Sequence, residues 1–420
     1  MYETISEYNS NETMEKITLP KHYNDTDTKL SIEEAIFRLE NLMIKDTISP
    51  KKCIKDKLIN TSSLRVVSEL LISFANNQII KEVSEEIITD ITRSQDITSM
   101  TKVVGILALS PSNVSHLPPT ELDGVTGLMI LTNALSNIGI SVVIMTDSIN
   151  QPIMKQMFEV YDCNYKDIHQ EIGYPPDVFE LEQGKIYIVG VVPLPGITDE
   201  WQKFLDKLYK KFQLIITLGR IKKDLSTGIY RNTRGLRMNH YCADIDSIFY
   251  KAKEDCITTI AISDFSYKQL GSDLSGDHEI NNENTYIDKN NENKIISDNR
   301  DKERISKYLA DHILVGHTVD WVCYFLTSCI GLLYKKSEIS QIIDNLNNNK
   351  ELRTLPFEDF LPQEETFQTI NNKILELEIW DSKYGSTLKK GFSYERDWEV
   401  RMKIRRVAAQ VGLPVYYENA

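Results

Sequence analysis

Residues 103–109 read VVGILAL, and five later stretches repeat that texture: ISVVIMT (140–146), IYIVGVV (186–192), LIITLG (214–219), ITTIAIS (257–263) and ILVG (313–316). Each run is short, rich in β-branched residues and apolar on both alternations. A strand with one wet face alternates apolar and polar residues, whereas these runs fit strands covered on both faces, as in a parallel sheet. Segments with helical spacing lie between most of them, near 125–138, 151–162, 198–211, 244–253 and 302–310. Strand–helix alternation of this kind predicts an α/β fold, a doubly wound and mostly parallel Rossmann-like sheet. Helices are expected to follow near 318–345, 364–374 and 396–411, with one further edge strand at Glu376–Trp380.

Outward from this core, the chain divides into unequal parts. Residues 1–30 are polar and expected to be disordered, and residues 31–98 form a helical region. That region opens at Ser31, where a capping residue precedes Ala35, Ile36, Leu39, Leu42 and Met43 at helical spacing. A second stretch runs through Leu64, Val67, Leu70, Leu71 and Phe74, and a third through Ile80, Val83, Ile87, Ile88 and Ile91. Residues 99–420 then make the α/β domain. It is interrupted at 272–302 by an Asn-rich, charged segment, which is expected to be a disordered insertion.

Composition narrows the function. The chain has 420 residues and a formal charge of −13, which argues against a broad nucleic-acid footprint. Its six cysteines contain no CxxC pair, so neither a zinc site nor a disulfide framework is expected. The opening stretch MYETISEYNSNETMEK lacks the apolar core of a secretion signal, which favours a cytoplasmic location. The longest uncharged apolar run, Trp321–Tyr334, has 14 residues against the roughly 20 of a bilayer span. It reads as a buried helix, and no membrane partner is expected.

In open α/β sheets, ligands bind beyond the carboxyl ends of the strands, and four such loops here have unusual composition. After 103–109 comes SPSNVSHLPPTELDGVTG, where Gly124 and Gly127 flank a helix start that favours an anion. Asp123 either faces that crevice or caps the helix. After 214–219 comes GRIKKDLSTGIYRNTRGLRMN, carrying Arg220, Lys222, Lys223, Arg231, Arg234 and Arg237. Arginine forks hold carboxylates bidentately, while a solvated basic loop is the plainer reading. After 257–263, Asp264 is placed for acid–base work or for a turn. After 313–316, His317, Thr318 and Asp320 either cap the next helix or face the crevice. No dinucleotide fingerprint, P-loop or GxSxG elbow is present, so a nucleotide-binding protein is disfavoured, and no cofactor or metal is expected.

These loops resemble the D-glutamate cyclase-like C-terminal family. In PPTELDGVTGLMILTNAL, Pro118, Pro119, Glu121, Asp123, Gly124 and Gly127 match the family pattern, with Leu122 in place of its Thr. Gly219, Arg220, Gly228, Tyr230, Asn232 and Arg234 match a second block. Ala243–Asp246 with Phe249 match a third, and GFSYERDWEVRMKIRRVA (391–408) a fourth. The family's Gly-rich loop after the fifth strand is here SDFSYKQLG, which keeps only Asp264 and Gly271. Its Ser-Asn-Trp-Gly-Gly stretch is replaced by Thr318–Cys323.

The resemblance implies conversion of D-glutamate, or a related amino dicarboxylic acid, to 5-oxo-D-proline with loss of water. It also implies a mitochondrial location as the alternative to a cytoplasmic one. On this reading Asp123 or Asp264 is the base, and Arg220 and Arg234 hold carboxylates beside the Gly124–Gly127 helix start. Tyr230, Asn232 and Asp320 complete the substrate contacts. The competing expectation is a relative that keeps the fold and binds an anion or a partner without catalysis.

Overall fold

A computed structural model describes residues 29–47, 63–76, 101–113, 116–161, 165–167, 181–193, 199–224, 227–232, 234–264, 269–272, 278–281, 285–288, 295–296, 309–345, 355–381, 385–387, 389 and 391–413. The main sheet is built from β1 (Val103–Ala108), β2 (Ser141–Asp147), β3 (Tyr165–Asp167), β4 (Ile186–Val191), β5 (Leu214–Leu218), β8 (Thr258–Asp264) and β12 (His312–Gly316). Its order is β12-β8-β5-β1-β2-β4-β3, and every neighbouring pair is parallel. The fold is therefore α/β and doubly wound. Five of the six strands read from the sequence are buried along their whole length, and β8 is buried beyond its first residue. A backbone that leaves water on both faces needs apolar side chains on both alternations, which is why the runs were legible.

Side chains alternate between two cores. Val104, Ile106 and Ala108 enter one, whereas Val103 and Leu107 enter the other. The first core is covered by α3 (Val125–Asn137), α4 (Gln151–Val160), α7 (Val319–Asn345), α8 (Glu364–Glu376) and α9 (Tyr394–Gln410). The second is covered by α5 (Asp199–Tyr209) and α6 (Asp246–Glu254). After β1 the chain moves to β2 and outward, then returns to place β5 on the other side of β1. The topological switch, where such folds bind ligands, thus lies at the carboxyl ends of β1 and β5.

The N-terminal helices α1 (Ile32–Thr47) and α2 (Leu64–Asn76) have no core of their own. Ala35, Leu39, Leu64, Val67 and Leu71 belong to the same cluster as Trp321, Phe325 and Ile330 of α7. Ser31 starts α1 with a capping box: the Glu34 amide donates to Ser31 Oγ (3.2 Å), and the Ser31 amide donates to Glu34 Oε2 (2.8 Å). Residues 1–28 and the helical stretch expected at Ile80–Ile91 lie outside the described residues.

Two local expectations come out differently, and a third falls largely outside the described residues. The edge strand at Glu376–Trp380 reduces to one bridge between Trp380 and Glu121, because α8 extends through Glu376. The helix near 302–310 lies outside the described residues as far as 308. Within 272–302, where no regular structure was expected, three short strands form a separate antiparallel sheet. They are β9 (His278–Asn281), β10 (Thr285–Asp288) and β11 (Ile295–Ile296). Their register sets Ile280, Tyr286 and Ile296 in one row, so the few apolar residues of this segment fall opposite one another. A hairpin between Lys223–Asp224 (β6) and Ile229–Tyr230 (β7) projects after β5. Among the described residues, no helix is long and apolar enough to cross a membrane.

Candidate functional site

The chain turns sharply out of β5 at Gly219, whose φ of +59° suits glycine. A Cβ there would lie 3.4 Å from Val319 Cγ2 and 3.7 Å from the Asp123 carbonyl oxygen, so the starts of α3 and α7 roof the crossover. The next residue, Arg220, has no exposed surface. Its Nη1 donates to Asp147 Oδ2 (2.8 Å) and to the Leu109 carbonyl (3.1 Å). Its Nη2 donates to Asp147 Oδ1 (3.3 Å) and to the Ala243 carbonyl (2.9 Å), and Nε donates to Asp246 Oδ1 (3.4 Å).

A guanidinium has five N–H donors, and all five are met by the protein. Burial alone would lower the Arg220 pKa, but Asp147 and Asp246 more than offset this and hold it well above its ordinary value. Burial raises the Asp246 carboxyl against the opposing pull of Arg220. The sequence reading of Arg220 as a substrate clamp is corrected here. The fork ties the ends of β1, β2 and β5 to the start of α6, and it has no donor left for a ligand.

The neighbouring polar residues also work inward. Tyr230 is buried, and its hydroxyl donates to the same Ala243 carbonyl (3.2 Å). Asn232 Oδ1 accepts from the amides of Arg234 (3.0 Å) and Leu236 (2.9 Å), and its Nδ2 donates to the Ser112 carbonyl (2.8 Å). Asn232 therefore shapes its own turn and fastens it to the loop after β1, rather than positioning a substrate. Arg234, two residues on, is exposed. Arg220 and Arg234 do not converge: one is consumed in the interior, and the other stands at the surface.

On the other face of the crossover, two helix starts are locked together. The N-cap residue of α3 is Gly124, and the Asp123 carboxylate reaches across to the other helix. Its Oδ1 and Oδ2 accept from the Val319 amide at the head of α7 (2.9 and 3.1 Å). In return, Asp320 Oδ1 accepts from the Gly127 amide in the first turn of α3 (2.6 Å). Each helix is capped by a carboxylate from the other, which satisfies orphan N–H groups and opposes both dipoles.

The glycines permit this approach. A Cβ on Gly127 would come within 2.9 Å of Asp320 Cα, and one on Gly124 within 3.0 Å of Leu109 Cδ2. Gly124 also holds φ at +104°. The two glycines thus serve helix contact, and the Gly127 amide expected to face an anion is already taken.

A cation completes this centre. Lys389 Nζ lies 2.8 Å from Asp320 Oδ2, donates to Thr126 Oγ1 (2.8 Å), and lies 4.0 Å from Asp397 Oδ2. Asp397 also accepts from Trp321 Nε1 (2.7 Å) and pairs with Arg401, which reaches on to Glu364 (2.6 Å). Burial raises the Asp320 carboxyl despite Lys389. For Asp397 burial acts in the same direction, but Lys389 and Arg401 outweigh it, and its carboxyl is held below the ordinary range.

Asp264, at the end of β8, is buried and joined to Gln269. Gln269 Nε2 donates to Asp264 Oδ1 (2.9 Å), and the Asp264 amide donates to Gln269 Oε1 (3.1 Å). This pairing joins two residues of the segment that stands where the family's Gly-rich loop is expected. Half-buried His317, at the end of β12, sets its ring edge-on to Phe392, with centroids 5.7 Å apart. No group of three or more His, Cys, Asp or Glu among the described residues could hold a metal ion.

Sequence reasoning missed Asp147, Lys389 and Asp397. For Asp147 a signal existed, since it ends a parallel strand just as Asp264 does.

The D-glutamate cyclase-like, C-terminal family model matches residues 72–390, which span the whole main sheet, both helix starts and Lys389. Asp397 and Arg401 fall beyond the matched span. No curated protein matches the chain. The family model covers well over half of the sequence, and the protein belongs to the D-glutamate cyclase-like, C-terminal family.

Proposed function

We propose that this protein is a lyase that closes D-glutamate, or a related amino dicarboxylic acid, to 5-oxo-D-proline with release of water. The observation that carries the reading is the match to the family across every strand of the sheet. In the reaction the α-nitrogen bonds to the γ-carboxyl carbon and one γ-oxygen departs. The ammonium gives up two protons, and the departing oxygen takes two. A base must act at the nitrogen, and the γ-oxygens need donors as their charge grows.

Of the two candidate bases, Asp264 is preferred, because both Asp123 oxygens accept amides of α7. Arg234, exposed on the loop after β5, is the arginine assigned to meet a carboxylate. Incubation with D-glutamate, followed by mass-spectrometric detection of 5-oxoproline, tests the reading. Conversion should exceed the protein-free rate, prefer D- over L-glutamate, and fall about 100-fold or more in Asp264→Asn. Equal rates with and without protein would refute it.

A second reading is favoured by Arg220, whose Gly-Arg context matches the family and whose five donors are all spent inside the protein. On that reading the chain binds an acid without turning it over. Calorimetric binding of D-glutamate with no 5-oxoproline formed would select it.

A further inference from the structure

We propose that Lys389 is a substrate-binding residue, its ammonium receiving a carboxylate of the bound acid at the paired starts of α3 and α7. The inference rests on the reading of this protein as acting on a dicarboxylic acid, and it names where that acid is held. An ammonium has three donors. One donates to Thr126 Oγ1 (2.8 Å) and a second faces the ion-paired Asp320 Oδ2 (2.8 Å), while Asp397 at 4.0 Å lies beyond hydrogen-bond reach. One N–H direction therefore remains for a further acceptor.

Access points the same way. The Lys389 side chain is 13% exposed, whereas Arg220 and Arg401, the other cations of these two networks, are at 0%. Part of the Lys389 side chain therefore reaches solvent. Asp320 pairs with Lys389 directly, and the neighbouring carboxylates also have other donors. Asp123 is set against the start of α7 and Asp320 against the start of α3, while Asp397 is met by Arg401 and Trp321. Phe392, beside Trp321 (4.9 Å between ring centroids) and His317, supplies an apolar wall for a short methylene chain. Because Asp320 and Thr126 hold it, Lys389 is fixed before the ligand arrives, which limits the ordering cost of binding.

Two experiments test this. The first is calorimetric titration of glutarate, a dicarboxylate lacking the amine, into wild type and Lys389→Met, with folding checked by circular dichroism. Affinity should fall at least tenfold in the variant. The second uses wild type alone. Glutarate should slow acylation of Lys389 by an N-hydroxysuccinimide ester at least threefold, read by peptide mass spectrometry, and leave Lys207 unaffected. Unchanged affinity in a folded Lys389→Met protein, or unchanged Lys389 acylation at saturating glutarate, would overturn the proposal. So would an absence of glutarate binding by wild type. If Lys389→Met converts D-glutamate with unaltered KM, this inference falls while the lyase reading stands.

Discussion

The two charged centres flanking the β1–β5 crossover are built from the same parts, one cation and two aspartates, yet they end in opposite states. Around Arg220, Asp147 and Asp246 join two carbonyls to exhaust a planar five-donor fork, with nothing exposed. Around Lys389, Asp320 and Asp397 leave a point charge partly met and partly open to solvent. A guanidinium presents donors in fixed directions and suits a junction of several chain segments. An ammonium on a flexible stem can be held from one side and still serve the other. The comparison teaches that the more recognisable cation in a loop need not be the one that meets a ligand.

The comparison breaks most severely if Arg220 is not structural. Arg220→Met leaves Asp147 and Asp246 buried with no counter-charge, each keeping a backbone amide donor, and should cost about 3–5 kcal/mol in urea unfolding. Adding Asp147→Asn should recover part of that loss, since it removes one of the stranded charges. A fully stable Arg220→Met protein would mean that the fork is dispensable and that the two centres differ less than their geometry implies.

Lys389→Met should cost less, about 2 kcal/mol by the same measurement, because Asp397 keeps a second cation in Arg401 and the site is partly solvated. Asp320 retains the Gly127 amide, and Asp397 retains Trp321 and Arg401. A larger loss than for Arg220→Met would reverse the ranking of the two centres.

Gly127→Ala probes the frame that holds the lysine centre. Its Cβ would press on the Asp320 backbone, which cannot swing aside as a side chain tip would. A loss of about 1–2 kcal/mol is expected, with weaker glutarate binding as the helix starts separate.

The smallest expected effect is a pH dependence. The Asp397 carboxyl is held below its ordinary value in the folded state. Its contribution is therefore present above the unfolded value of about 3.9, and is lost as pH falls through the lower folded value. Urea unfolding between pH 5 and 2.5 should show a shallower decline for Asp397→Asn than for wild type. Identical slopes would remove Asp397 from the account.

Much of this was written in local sequence. The six apolar runs specified their strands to within a residue or so at each end, because burial on both faces leaves no polar alternation. The Ser31 cap and the buried helix through Trp321–Tyr334 were legible for the same reason, since their determinants lie within a few residues of one another. The strand-end loops were legible as the place where polar residues gather.

Which of those residues face one another was not legible, because the partners lie far apart in the chain. Asp147 and Arg220 are 73 positions apart, Gly127 and Asp320 are 193, and Asp123 and Val319 are 196. The sequence by itself determined a doubly wound parallel sheet with charged groups at its carboxyl edge. Only the tertiary structure decided that Asp123 and Asp320 cap each other's helices, that Arg220 is spent inside, and that Lys389 stays open. Local patterns report which surfaces must leave water, whereas the pairing of buried charges depends on which chain segments packing brings within a few ångströms.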